Sequence, residues 1–255
     1  MTESGTVHTE YKDGISTVTF FHPQSNSLPG DLLRKLAAEI SAAGKKTETK
    51  VIVLKSEGEK AFCAGASFDE LISIKNFEEG KKFFSGFALV INAIRKVPQF
   101  VIARIQGKAV GGGVGLVSAA DYALAVESAS VKLSELALGI GPFVVGPAVE
   151  RKIGMAAFAA LSINASEWHG ADWAKQNGLY AQTYPSVEEM DKAIEKLTAQ
   201  LSDGNPEAMH ELKKNFWEGT QHWDVLLTQR AEISGRLVLS EYTHNAIEKF
   251  KLQKK

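Results

Sequence analysis

Glu135 is the residue in this chain best suited by its surroundings to do chemistry. It stands in Leu133-Ser134-Glu135-Leu136, with Ala137, Leu138 and Ile140 close behind. A carboxylate buried among such neighbours loses hydration, its pKa rises toward working pH, and it becomes a usable general base. Two glycine-bearing loops precede it, Phe62-Cys63-Ala64-Gly65-Ala66 and Gly111-Gly112-Gly113-Val114-Gly115. Each follows an apolar stretch, and glycine permits the close approach and unusual dihedrals that present backbone N–H groups. Two such groups converging on one carbonyl oxygen make an oxyanion hole, in which each donor is typically worth about 3–4 kcal/mol of barrier. An enolate needs both parts, donors for its oxygen and a base for its proton. Taken singly, each part has a plainer reading. A triple glycine is as readily a strand-to-helix turn, and an isolated glutamate at a strand end faces water.

The elements that must hold these residues alternate. Residues 14–20 interleave apolar and polar side chains and are rich in β-branched ones, which reads as a strand ended by His22-Pro23. Residues 31–43 carry leucines, alanines and Ile40 at helical spacing, and residues 50–55 read as a buried strand. The order repeats with a helix over 77–96, a strand over 100–105 leading into the triple glycine, a helix over 114–120 and a strand over 122–126. Strand periodicity fades after Tyr184, and residues 186–201 and 206–252 read as amphipathic helices. Strand and helix in alternation make an α/β protein.

In this order and spacing, the segments resemble the crotonase (enoyl-CoA hydratase/isomerase) superfamily through nearly the whole chain. Ser25-Asn26-Ser27-Leu28 resembles the Asn-Ala-Leu turn that lines the coenzyme A site, and residues 171–179 resemble the family's helix-to-strand step. The resemblance implies that Ala66 donates from the first loop and Gly112 from the second, with Glu135 as the catalytic acid/base. It implies Asn26, Ser27, Ala64, Ala66 and Phe68 as the residues along coenzyme A. The implied fold is an α/β superhelix of strand-strand-helix turns over residues 1–200, followed by a helical C-terminal trimerisation region over 201–255. The implied partner is an acyl-CoA thioester, with coenzyme A arriving as part of the substrate and no separate cofactor. A homotrimer or a dimer of trimers is the expected assembly, and the basic end at 249–255 is either a solvated tail or a contact to coenzyme A phosphates of a neighbouring subunit.

Two residues depart from the family pattern. Gly115 stands where hydratases carry their first glutamate, and Ser67 where many members carry an aspartate. Two glutamates hold the water that a hydratase adds, whereas one suffices for double-bond migration, so isomerisation is favoured. Hydration by Glu135 alone and a catalytically weak CoA-binding subunit remain the alternatives. Phe143 occupies the place of the further aspartate of a three-acid dienoyl-CoA isomerase, which argues against that reaction. Phe84, Phe87 and Phe143 are candidates for the acyl-pocket wall.

Other motifs point nowhere else. Leu116 breaks Gly-x-Gly-x-x-Gly, Gly-Lys-Ser/Thr does not occur, and none of the six histidines belongs to His-Glu-x-x-His, so no metal site is expected. Cys63 is the single cysteine and reads as a small core residue, with no intramolecular disulfide possible. The 255 residues are 44% hydrophobic and 23% charged with a net charge of −1, which gives no field for nucleic acid or an anionic membrane. The first residues lack the basic and apolar runs of a leader, so a cytoplasmic protein is expected.

Overall fold

The computed structural model describes residues 5–253. The first four residues and the last two, on which the readings of the leader and of the basic tail rest, lie outside it, as do the side chains from 250 onward. The chain begins with an antiparallel hairpin, β1 (Thr6–Lys12) and β2 (Ile15–Phe21). Then α1 (Gly30–Lys45) leads to β3 (Val51–Ser56) and β4 (Ala61–Cys63). Next, α2 (Phe68–Ser73) and α3 (Phe77–Lys96) precede β5 (Phe100–Ile105) and β6 (Lys108–Val110). After α4 (Gly112–Ala119) come β7 (Tyr122–Val126), β8 (Ser130–Lys132), a 3-10 turn (Leu136–Leu138) and α5 (Gly146–Ile163). Then β9 (His169–Gly170), α6 (Ala171–Gln176), β10 (Gln182–Tyr184) and α7 (Val187–Ser202) complete the sheets. Three helices finish the described chain: α8 (Pro206–Phe216), α9 (Trp223–Leu237) and α10 (Glu241–Gln253).

Successive strands are dealt to two sheets. The larger has the order β1-β2-β3-β5-β7-β10 and is parallel from β2 onward; the smaller has the order β4-β6-β8-β9. In the turns β3-β4, β5-β6 and β7-β8 the first strand joins the larger sheet and the second the smaller before a helix follows, which is the superhelix the resemblance implies. In β3 and β5 all residues but Lys55 and Arg104 are buried, as in a parallel sheet covered on both faces. Helices α1 and α3 pack against each other, and their buried leucines, isoleucines and phenylalanines follow helical spacing. The side chain of Asn76 caps α3, accepting from the Glu79 N–H at 2.9 Å.

A strand the sequence reading did not include and a shifted helix start have simple causes. β1 exposes most of its residues and buries only Val7, because it is the edge of the sheet and needs no apolar face of its own. The fourth helix begins at Gly112, not at 114, so the glycines form its first turn. That helix is buried along its whole length.

The C-terminal helices fold back on this core. Along α3 lies α9, with backbones so close that a methyl on Gly80 would come 2.8 Å from the Gly235 carbonyl oxygen. The anchor of α8 is Lys213, 2% exposed, whose Nζ lies 2.8 Å from Asp121 Oδ2 and donates to the carbonyls of Ile94 (2.9 Å) and Gln99 (2.6 Å). Asp121 also accepts from the Val101 N–H (2.8 Å) and from Trp217 Nε1 (2.9 Å). Among the described residues, no helix is long and apolar enough to cross a membrane.

Candidate active site

Adjacent strands place the two loops side by side. β4 and β6 are parallel neighbours, so the segments after Cys63 and Val110 leave the small sheet together. Gly65 has φ +86° and Gly111 φ +52°, a region in which a side chain is strained. A methyl at Gly65 would lie 2.7 Å from the Val110 carbonyl oxygen and 3.5 Å from the Gly112 nitrogen, so the first loop rests directly on the start of α4. Leu28 and Ala66 form a parallel bridge, in which Leu28 N–H donates to Gly65 O (2.8 Å) and Ser67 N–H donates to Leu28 O (3.2 Å). In that pattern the N–H of Ala66 itself points to the other side. The Gly112 N–H is the first of α4 and, as at any helix start, has no acceptor within the helix. The dipole of α4 adds to its attraction for negative charge.

The second loop is also tied to the segment that carries the acid. Gly111 N–H donates to the Lys132 carbonyl at 2.8 Å, at the end of β8 and three residues before Glu135. The Glu135 carbonyl accepts from the N–H groups of Leu138 (3.1 Å) and Ile140 (3.0 Å), which fixes its backbone. The turn is backed by α10, since a methyl on Gly139 would come 2.5 Å from the Tyr242 ring and 3.0 Å from Thr243 Oγ1. The carboxylate of Glu135 reaches back to the glycine loop: a methyl on Gly111 would be 2.9 Å from Oε1 and 3.2 Å from Cδ. Part of the residue meets solvent, yet Oε2 is sealed and has no hydrogen-bond partner among the described residues. Burial pushes its pKa up from 4.5 to about 7, held back somewhat by its own backbone N–H.

The remaining residues read from the sequence fall around this centre in different ways. Asn26, at φ +56°, turns its side chain inward: Oδ1 accepts from His22 N–H (2.9 Å), and Nδ2 donates to Glu57 O (2.7 Å) and Ala61 O (3.0 Å). It holds the turn in shape. Ser27 Oγ lies 3.1 Å from His22 Nδ1, and Ala64 N–H donates to Ser25 O at 3.1 Å, joining that turn to the first loop. Phe68 begins α2 and packs against the core. Ser67, in place of the aspartate, caps α2 by accepting from Glu70 N–H at 3.4 Å. Cys63 is fully buried with its thiol pushed up to about 12, which leaves it inert as a nucleophile.

Of the three candidate wall residues, the Phe87 ring lies in the space a side chain at Gly112 would need, whereas Phe143 folds onto its neighbour Gly141. Phe84 packs edge-on against Phe83, with centroids 5.2 Å apart. A residue the sequence does not single out is Val145, at the start of α5, whose side chain fills the space beside Gly115. Nothing in a Val144-Val145 pair says which of the two will face that glycine.

Known proteins resemble this chain in sequence and in fold. Rat mitochondrial methylglutaconyl-CoA hydratase is 34% identical over 200 residues, covering 77% of this chain and 63% of that protein, so the match spans just under two thirds of the relative. An enoyl-CoA hydratase structure from Mycobacterium avium superposes with a TM-score of 0.84 at 26% identity, covering 98% of this chain and 96% of that one. One from Bacillus halodurans reaches a TM-score of 0.88 at 22% identity, covering 95% and 99%, a likeness of fold. The sequence profile described as enoyl-CoA hydratase/isomerase matches residues 10–250, both sheets and the C-terminal helices included, and the chain therefore belongs to that family of acyl-CoA enzymes.

Proposed function

We propose that the protein is an enoyl-CoA isomerase that shifts a double bond through a thioester dienolate, with Glu135 as its single acid/base. The carboxylate takes a proton from C2 of a 3-enoyl-CoA, electrons move onto the thioester oxygen, and the same group returns the proton at C4 to leave the 2-enoyl product. The N–H groups of Ala66 and Gly112 bind the oxygen on which charge develops. Asn26, Ser27, Ala64 and Phe68 shape the channel for coenzyme A, which comes with the substrate. The observation that carries this reading is the Glu135 carboxylate against Gly111, with Oε2 sealed from solvent, one helical turn from a position, Gly115, that offers no second acid.

Hydration by Glu135 alone is the second reading, favoured by the descriptions of the rat relative and of both solved structures as hydratases. A spectrophotometric comparison decides between them. Conversion of 3-enoyl-CoA faster than hydration of crotonyl-CoA is expected, and rapid hydration with negligible conversion would overturn the isomerase reading. Binding of coenzyme A in a thermal-shift assay without turnover of either substrate would instead favour a weakly catalytic binding subunit.

Three further outcomes follow from the same arrangement. In a complex with a CoA thioester, the thioester oxygen lies about 2.7–3.1 Å from both the Ala66 and Gly112 nitrogens; an oxygen directed elsewhere in a competent complex refutes the assignment. The carboxylate must be ionised to take the first proton, and burial sets its pKa at about 7. The isomerase kcat/KM therefore falls as pH drops through about 7 and levels off above it, and a profile flat across that range counts against Glu135 as base. Finally, exposed Leu89 on α3 and Val225 on α9 belong to two helices packed together, and we assign them to contacts within a homotrimer. Sedimentation at micromolar concentration should give a trimer or a hexamer, and a monomer would exclude both.

A further inference from the structure

Gly115 lacks a side chain, and the room its side chain would take is already filled. A methyl built there overlaps Val145 Cγ1 and lies 2.6 Å from Val145 Cβ, while the Val145 Cα is 3.6 Å away. Val145 is 4% exposed and is fixed at the start of α5, where its carbonyl accepts from Val149 N–H at 3.0 Å. Gly111 caps α4 and Gly115 lies one turn into it, joined by the Gly115 N–H to Gly111 O bond of 3.2 Å. One helical turn rises about 5–6 Å. The Glu135 carboxylate therefore lies against the residue that caps α4, and the Val145 isopropyl lies against the helix one turn further on.

We infer that Val145 is a specificity-determining residue: its side chain occupies the seat of a second acid beside Glu135, and positions 115 and 145 change the reaction only together. This rests on the reading of Glu135 as acid/base, but its steric part does not. An apolar isopropyl group in that seat can neither hold nor activate water, so the site keeps one proton carrier and a dry wall. Alanine at 145 would leave the offending Cβ in place, so only glycine vacates the seat.

Two measurements test the inference. The first is a thermal-unfolding cycle with Gly115→Ala in the wild-type and Val145→Gly backgrounds. Alanine is the better helix former, so Gly115→Ala should lower Tm in the wild type through the clash and raise it once Val145 is glycine. An equal loss in both backgrounds overturns the steric claim, and no activity enters this readout. The second compares Gly115→Glu with Gly115→Glu/Val145→Gly in hydration of crotonyl-CoA and conversion of 3-enoyl-CoA. The double variant should fold where the single one does not, and its ratio of hydration to isomerisation should exceed that of the wild type by at least about tenfold. A double variant no better folded than the single, or folded with an unchanged ratio, overturns the inference. A wild type that hydrates without isomerising would instead refute the proposed reaction while leaving the Tm cycle intact.

Discussion

Glu135→Gln should lower turnover of 3-enoyl-CoA by about 10²- to 10⁴-fold, the range that a positioned general acid/base contributes, while affinity for coenzyme A changes little. Glutamine keeps the shape of the side chain and removes its ionisable group. The loss belongs in kcat and kcat/KM together, since the missing proton transfer belongs to the transition state. A variant with near wild-type turnover would show that another group carries the proton. The same substitution has a signature in stability. Burial raises Glu135 from 4.5 to about 7, so the native state holds its proton more tightly than the unfolded chain. Its contribution to stability is fully present below about 4.5 and is lost as pH rises to about 7. At roughly 1.4 kcal/mol per pKa unit, the loss is of order 3 kcal/mol across that window. Glutamine has nothing to titrate, so the variant gains on the wild type as pH rises through it. Parallel Tm curves for the two proteins would contradict the raised pKa of Glu135.

Lys213→Met should cost about 3–5 kcal/mol of stability, because it removes the direct ion-pair partner of the buried Asp121. Both side chains of the pair are only 3% exposed. Lys213 directs its three N–H donors at Asp121 Oδ2 and the carbonyls of Ile94 and Gln99, so methionine also strips two backbone acceptors of a partner. The Val101 and Trp217 N–H groups still serve Asp121, and Arg151 and Lys152 still act on its charge, which sets a limit to the damage. Because the pair joins α8 to the beginning of β7, the loss should loosen the C-terminal helices from the core. A fall in the urea midpoint at constant slope and fixed protein concentration is the measure. Asp121→Asn/Lys213→Met should recover much of the loss by removing the orphaned charge. A midpoint unchanged in Lys213→Met would mean that water reaches the pair.

The sequence alone determined the long elements and the cast of the site. The helix at 77–96 and the strands at 100–105 and 122–126 are found at the residues their periodicity predicts, because each is long or apolar enough to fix its own conformation. The glycine loops and Glu135 were legible through their order, since glycine at a turn and an acid among apolar residues are local properties. Tertiary structure decided the rest. β4, β6 and β8 have three residues each, too few for an alternation to register, and exist as strands because they pair with one another. Asn26 carries the sequence signature of a substrate-lining turn, yet its side chain is wholly engaged by His22, Glu57 and Ala61, partners only the fold could supply. The buried pair of Asp121 and Lys213 joins distant segments, and either residue alone reads as an ordinary surface charge. The resemblance to the family places Gly115 where hydratases carry an acid. That Val145 has taken its place depends on how α4 meets the start of α5, and close packing between elements far apart in the chain leaves no periodic trace in either.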